Sequence, residues 1–116
     1  MIYAVDFDNT IATGSYPEVG VAVPLALDKL REMTAKGHKI LINTCRSGHS
    51  LELAVQWLIR HGIVLYEVNV NPDQASWSTS PKVFADVYID DRAYGCPKIH
   101  FRGETVVDWT RISIPT

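Results

Sequence analysis

Three short apolar runs, separated by segments of helical period, constrain this chain most. Residues 2–5 (IYAV), 39–43 (KILIN) and 63–68 (IVLYEV) read as strands. After the first run, Pro24 suits an opening helical turn, and Ala26, Leu27, Leu30 and Met33 recur at helical spacing. Gly37 is a natural stop for that helix. After the second run, Leu51, Ala54, Val55, Leu58 and Ile59 form an apolar stripe over a helix at about 50–61, closed by Gly62. Residues 11–20 (IATGSYPEVG) and 69–80 (NVNPDQASWSTS) are turn-prone loops. A fourth strand is expected over 87–89, and one or two more from 99–101 and 105–109. Strands alternating with helices predict a parallel sheet with crossover helices. The expected fold is therefore α/β, a Rossmann-like three-layer α/β/α sandwich. At 116 residues, one domain is the natural size.

The polar residues fall where such a sheet would collect them. Asp6 and Asp8 follow the first strand, Thr44 the second, and Asp90 and Asp91 the fourth, with Lys82 just upstream. In open parallel sheets ligands bind at the carboxyl ends of the strands, so these groups should meet at one edge. Residues two apart on a strand share a face. Asp6 and Asp8 would then repel unless a cation, a proton or a hydrogen-bond network offsets the charge.

Composition narrows the partners. The chain is 47 % hydrophobic and 21 % charged, with a formal net charge of −2 and a pI near 6.0. That balance gives no electrostatic footprint for nucleic acid or an acidic membrane surface. No apolar run approaches the roughly 20 residues of a membrane helix, and no signal peptide is evident. Two cysteines, Cys45 and Cys96, make neither a disulfide framework nor a zinc site. Reduced thiols in a cytoplasmic protein are the simplest expectation.

The order of these motifs resembles that of the haloacid dehalogenase (HAD) superfamily of phosphohydrolases. DFDNT at 6–10 matches the family's Asp-x-Asp-x-Thr after an apolar strand, KILINT at 39–44 its strand ending in Thr or Ser, and VYIDD at 87–91 its strand ending in an acidic pair. Lys82 is the candidate for the family's lysine, with Lys39 and Lys98 as competitors. The resemblance implies Asp6 as nucleophile and Asp8 as general acid–base. It implies Mg²⁺ held by Asp6, the main-chain carbonyl of Asp8, Asp90 and Asp91, since hard oxygen ligands suit that ion. It also implies Thr44 and Lys82 as binders of the transferring phosphoryl oxygens, with Arg46 at the mouth of the site as a substrate contact. Asn9 stands where many members have Gly, and Asn tolerates left-handed backbone. Larger members insert a cap domain, but residues 11–43 hold little beyond one helix and one strand. A capless HAD-like domain with at most a small flap from 11–20 is expected. Its partner would be a small phosphorylated substrate, and its open site fits a large substrate or a homo-oligomer whose neighbour covers it.

Other readings are testable on the same residues. Cys96 and Arg102 fit Cys-x₅-Arg, the loop of cysteine-dependent phosphatases. The intervening PKIHF has no glycine, and Pro97 removes a donor. A receiver-like signalling domain would need an Asp after the third strand, where Asn69 and Asn71 stand. A member of the fold that binds phosphate or Mg²⁺ without catalysis is the third reading. Trp57 and Trp109 read as packing residues.

Overall fold

Tyr3, Ala4 and Val5 are all buried, so β1 (Ile2–Val5) is apolar on both faces and takes a central place in the sheet. The computed structural model describes all residues from Met1 to Thr116. β1 is followed by a small antiparallel hairpin of β2 (Ala12–Thr13) and β3 (Val21–Ala22), then α1 (Ala26–Ala35) and β4 (Lys39–Ile42). α2 (Gly48–Arg60), β5 (Glu67–Val68) and β6 (Val87–Ile89) come next. β7 (Lys98–Phe101) and β8 (Glu104–Val107) follow as an antiparallel hairpin, and a 3₁₀ turn, Trp109–Arg111, comes after them. The main sheet has the order β5-β4-β1-β6, every pair parallel. This is an α/β fold, and no helix is long and apolar enough to cross a membrane.

Both helices end at glycines whose φ is positive, Gly37 at 83° and Gly62 at 75°, the left-handed conformation that lets the chain turn back into a strand. The third strand is shorter than its apolar run. Ile63 closes α2 through its N–H to the Leu58 carbonyl, and pairing with β4 begins only at the Tyr66 N–H. The tail strands pair with each other and do not extend the parallel sheet.

The layers differ from a sandwich with helices on both faces. Tyr3, Val5, Ile40 and Ile42 join Leu30 and Met33 of α1 and Ala54, Trp57 and Leu58 of α2 in one continuous core. Ala4 and Leu41 point the other way, onto Ala85, with Ile2 and Val83 beside them. Both α-helices therefore cover one face. The reason is topological. The steps β1→β4→β5 march in one direction, so right-handed crossovers put both helices on the same side. The step β5→β6 returns across the sheet, so its connection lies on the opposite face. That connection, 69–86, is polar and turn-rich and forms only a short 3₁₀ turn, Gln74–Ser76. Its reversal leaves Asp6 and Asp90 at the ends of adjacent strands.

Candidate active site

The DFDNT stretch leaves β1 as a tight loop. Thr10, Ile11 and Ala12 N–H groups all point at the Phe7 carbonyl, and Asn9 adopts φ 59°. This is the left-handed backbone that Asn accepts where most side chains would be strained. The loop carries Asp6 and Asp8 into different surroundings. The Asp6 N–H donates to the Ile89 carbonyl at 2.9 Å, which fixes β1 against β6 at their carboxyl ends.

Asp6, Asp90 and Asp91 each place a carboxylate oxygen within 4.8 Å of the others. All three are half-buried. Thr10, fully buried, joins them: its hydroxyl lies 3.1 Å from Asp6 Oδ2 and 3.4 Å from Asp91 Oδ1, and it accepts the Asp91 N–H at 3.1 Å. The Asp6 carboxyl is pushed up to about 8, first by burial, then by the hydrogen bond with Asp91 and the charge of Asp90. Crowded, partly desolvated carboxylates of this kind hold a proton or a cation. An all-oxygen donor set suits a hard divalent ion such as Mg²⁺ or Ca²⁺.

Asp8 stands apart from that cluster and faces Arg46. Arg46 Nε donates to Asp8 Oδ2 at 2.9 Å and NH2 to Oδ1 at 2.8 Å, a bidentate pair. The guanidinium also donates to the carbonyls of Pro17, Glu18 and Ser50, at 2.6, 2.9 and 2.9 Å. All five of its N–H donors are used, its side chain is 1 % exposed, and it lies between the rings of Phe7 and Tyr16. The expectation that Arg46 binds substrate is therefore corrected. Its role is to tie Asp8, the turn between β2 and β3, and the start of α2 into one unit.

Thr44 follows β4 at the same edge. Its N–H donates to Asn69 Oδ1, and its hydroxyl accepts the Arg46 N–H at 3.1 Å, leaving the O–H proton free to donate. Lys82 is not there. It lies in the 69–86 connection on the face away from the helices, exposed, with Nζ over the ring of Tyr88, which pairs with Ala4 in mid-strand. Its ammonium is held at the Tyr88 ring on that face and forms no ion pair with Asp6, Asp90 or Asp91, so the placement of Lys82 in the site is corrected too. Lys39 sits at the start of β4 over Tyr66. Lys98 is the lysine bound to the loop that carries Asp90 and Asp91. Its Nζ donates to the carbonyls of Ala93 and Cys96 at 2.9 and 3.1 Å.

Thr10 and Glu104 are site residues that sequence reasoning did not single out. The Asp-x-Asp-x-Thr spacing held the signal for Thr10. Glu104 had none, because the β7–β8 hairpin brings it from far along the chain to a cavity of about 410 Å³ beside Asp8. Cys96 and Arg102 make no phosphate cradle. β7 runs between them, Arg102 occupies the hairpin turn at φ 52°, and burial pushes the Cys96 thiol up, away from the thiolate.

A parallel α/β sheet bearing an acidic triad at the ends of two adjacent strands thus defines the class of protein to which this chain is comparable. A solved structure of a conserved protein from Bacteroides thetaiotaomicron is 34 % identical to it, with a TM-score of 0.75, over 82 % of this chain and 78 % of that one. The chain belongs to the family of that conserved Bacteroides protein. Neither a family model nor a curated protein matches it.

Proposed function

We propose that the protein is a capless, HAD-like phosphohydrolase that uses Mg²⁺ to cleave a phosphate monoester through an aspartyl-phosphate on Asp6. The observation that carries this reading is the meeting of Asp6, Asp90 and Asp91 within 4.8 Å at the ends of β1 and β6, with Thr44 at the same edge. The irregular 69–86 connection takes the place of the third layer's helices. Mg²⁺ would be held by Asp6, Asp90 and Asp91 and would supply charge neutralisation at the phosphoryl oxygens.

The chain's own residues account for the rest. An Asp6 oxygen attacks phosphorus, the bond from phosphorus to the ester oxygen breaks, and Asp8 gives its proton to the departing alkoxide. Asp8 then takes a proton from water, whose oxygen attacks phosphorus, releasing phosphate and restoring Asp6. Each Asp8 oxygen accepts one Arg46 N–H and keeps a lone pair for this transfer. The Thr44 hydroxyl donates to a phosphoryl oxygen. Lys98, not Lys82, is the lysine suited to balance the charge of the acidic loop. Two free cysteines suit a reducing cytosol.

The test is hydrolysis of para-nitrophenyl phosphate with and without Mg²⁺ by the natural chain and by Asp6→Asn. Metal-dependent turnover that drops at least about a thousandfold in the variant supports the reading. Turnover that survives in Asp6→Asn overturns it.

A further inference from the structure

The geometry points to a leaving-group pocket for an uncharged, polyhydroxylated ring, which makes the substrate a monosaccharide phosphate; this inference rests on the phosphohydrolase reading above. A general acid must lie within hydrogen-bond reach of the oxygen it protonates. The alcohol half of any ester therefore occupies the space that Asp8 faces, the cavity of about 410 Å³ bounded by Asn9, Ser15, Tyr16, Cys45 and Glu104. That volume is within the range of small-molecule sites.

The walls present a specific set of unused polar groups. The hydroxyls of Ser15 and Tyr16, the side-chain nitrogen of Asn9 and the carboxylate of Glu104 make no hydrogen bond within the protein, whereas the Asn9 oxygen is taken by Thr13 at 2.6 Å. One donor, one acceptor and two groups that do both complement adjacent hydroxyls, each of which donates and accepts. The Tyr16 ring is 67 % exposed and lies 5.0 Å from the Arg46 guanidinium. It offers an apolar face to the C–H side of a sugar.

Charge excludes the acidic alternatives. The pocket's own cation, Arg46, has no donor left, and the remaining charges on its wall are the carboxylates of Asp8 and Glu104. Arg102 faces a smaller adjoining cavity of about 170 Å³ that shares Glu104. A second phosphate or a carboxylate on the leaving group would enter unpaired beside two like charges. A base stacks on a single aromatic ring as well, so the nucleotide is the competing occupant of the Tyr16 face that the experiment separates.

The experiment compares kcat/KM for glucose 6-phosphate, 6-phosphogluconate and adenosine 5′-monophosphate in the natural chain, Glu104→Gln and Glu104→Lys. The readout is the ratio between substrates within each variant, which cancels any change in chemistry common to them. Glucose 6-phosphate should lead 6-phosphogluconate by about tenfold, with the ratio narrowing in Glu104→Gln and narrowing further in Glu104→Lys. An unchanged ratio in Glu104→Lys overturns the pocket, and a preference for the nucleotide overturns the sugar. In parallel, glucose 6-phosphate is titrated into Asp6→Asn while the amide resonances of Ser15, Tyr16 and Glu104 are followed. Shifts at those residues, with no hydrolysis of any ester by the natural chain, para-nitrophenyl phosphate included, remove the phosphohydrolase reading and keep the sugar pocket. No shifts remove the pocket.

Discussion

At Asp6, burial, a hydrogen bond from a second carboxyl and the charge of a third all press in one direction. A carboxyl raised from 3.8 to about 8 holds a proton in the folded chain that it releases in the unfolded one. The stability this supplies is complete below the ordinary carboxyl range and is lost as pH rises through about 8. Without divalent ions, the natural chain should therefore lose stability relative to Asp6→Asn across that window, by at most about 1.4 kcal/mol per pH unit. Added Mg²⁺ should restore it at pH 8 and leave Asp6→Asn nearly unmoved. Urea titrations of both chains at several pH values, with and without Mg²⁺, measure this directly. Parallel pH profiles for the two chains would remove the coupling. The acidic residues were legible in the sequence because each follows an apolar strand run. Arg46 was not, since three of its five donors go to backbone carbonyls, which leave no trace in residue type.

Elements were legible where hydrophobic period is strong and misread where topology decides. β1, β4 and β6 follow their apolar runs, and both helices form where expected, but Ile59 of the α2 stripe is 61 % exposed with Trp57 buried in its stead, and Pro24 lies before α1. The placement of Lys82 failed because nearness in the chain is not nearness in space. Lys82 sits in the irregular connection that crosses the face opposite the helices, and its ammonium is drawn to the Tyr88 ring there. Lys98 lies beyond that pair, and its ammonium holds the 93–96 turn that follows Asp90 and Asp91. Lys98→Ala should accordingly lower kcat/KM for para-nitrophenyl phosphate by about tenfold or more, and Lys82→Ala should leave it within about twofold. Equal effects would return Lys82 to the site. The hairpin of β2 and β3 is fixed in a comparable way. A Cβ at Gly20 would run into the backbone of Thr13 and Gly14, so the turn that carries Ser15 and Tyr16 can keep its shape only with glycine there.

Across the whole molecule, the site is stiffened from behind by a part of the chain far from it in sequence. Trp109 is 1 % exposed, and its indole N–H donates to the Thr10 carbonyl at 2.7 Å. The Val107 N–H reaches the Asn9 carbonyl at 3.0 Å. The backbone of the DFDNT loop is thus held by the tail, while the side chains of Asp6 and Thr10 face the acidic cluster. Reading Trp109 as a packing residue captured its burial but not this bond, because a donor's partner across 99 residues is set by the fold. Trp109→Phe keeps an aromatic ring in the core and deletes the donor. It should cost about 1–3 kcal/mol for the carbonyl left unpaired and the volume lost. If the tail positions the Asp6–Thr10–Asp91 network, the variant should also bind Mg²⁺ more weakly, since Thr10 hydrogen-bonds two of the three carboxylates. Calorimetric titration of Mg²⁺ under conditions where both chains are fully folded separates the two effects. Lower stability with unchanged Mg²⁺ affinity would make Trp109 a core residue only, and weaker binding in the folded variant would make the tail part of the site.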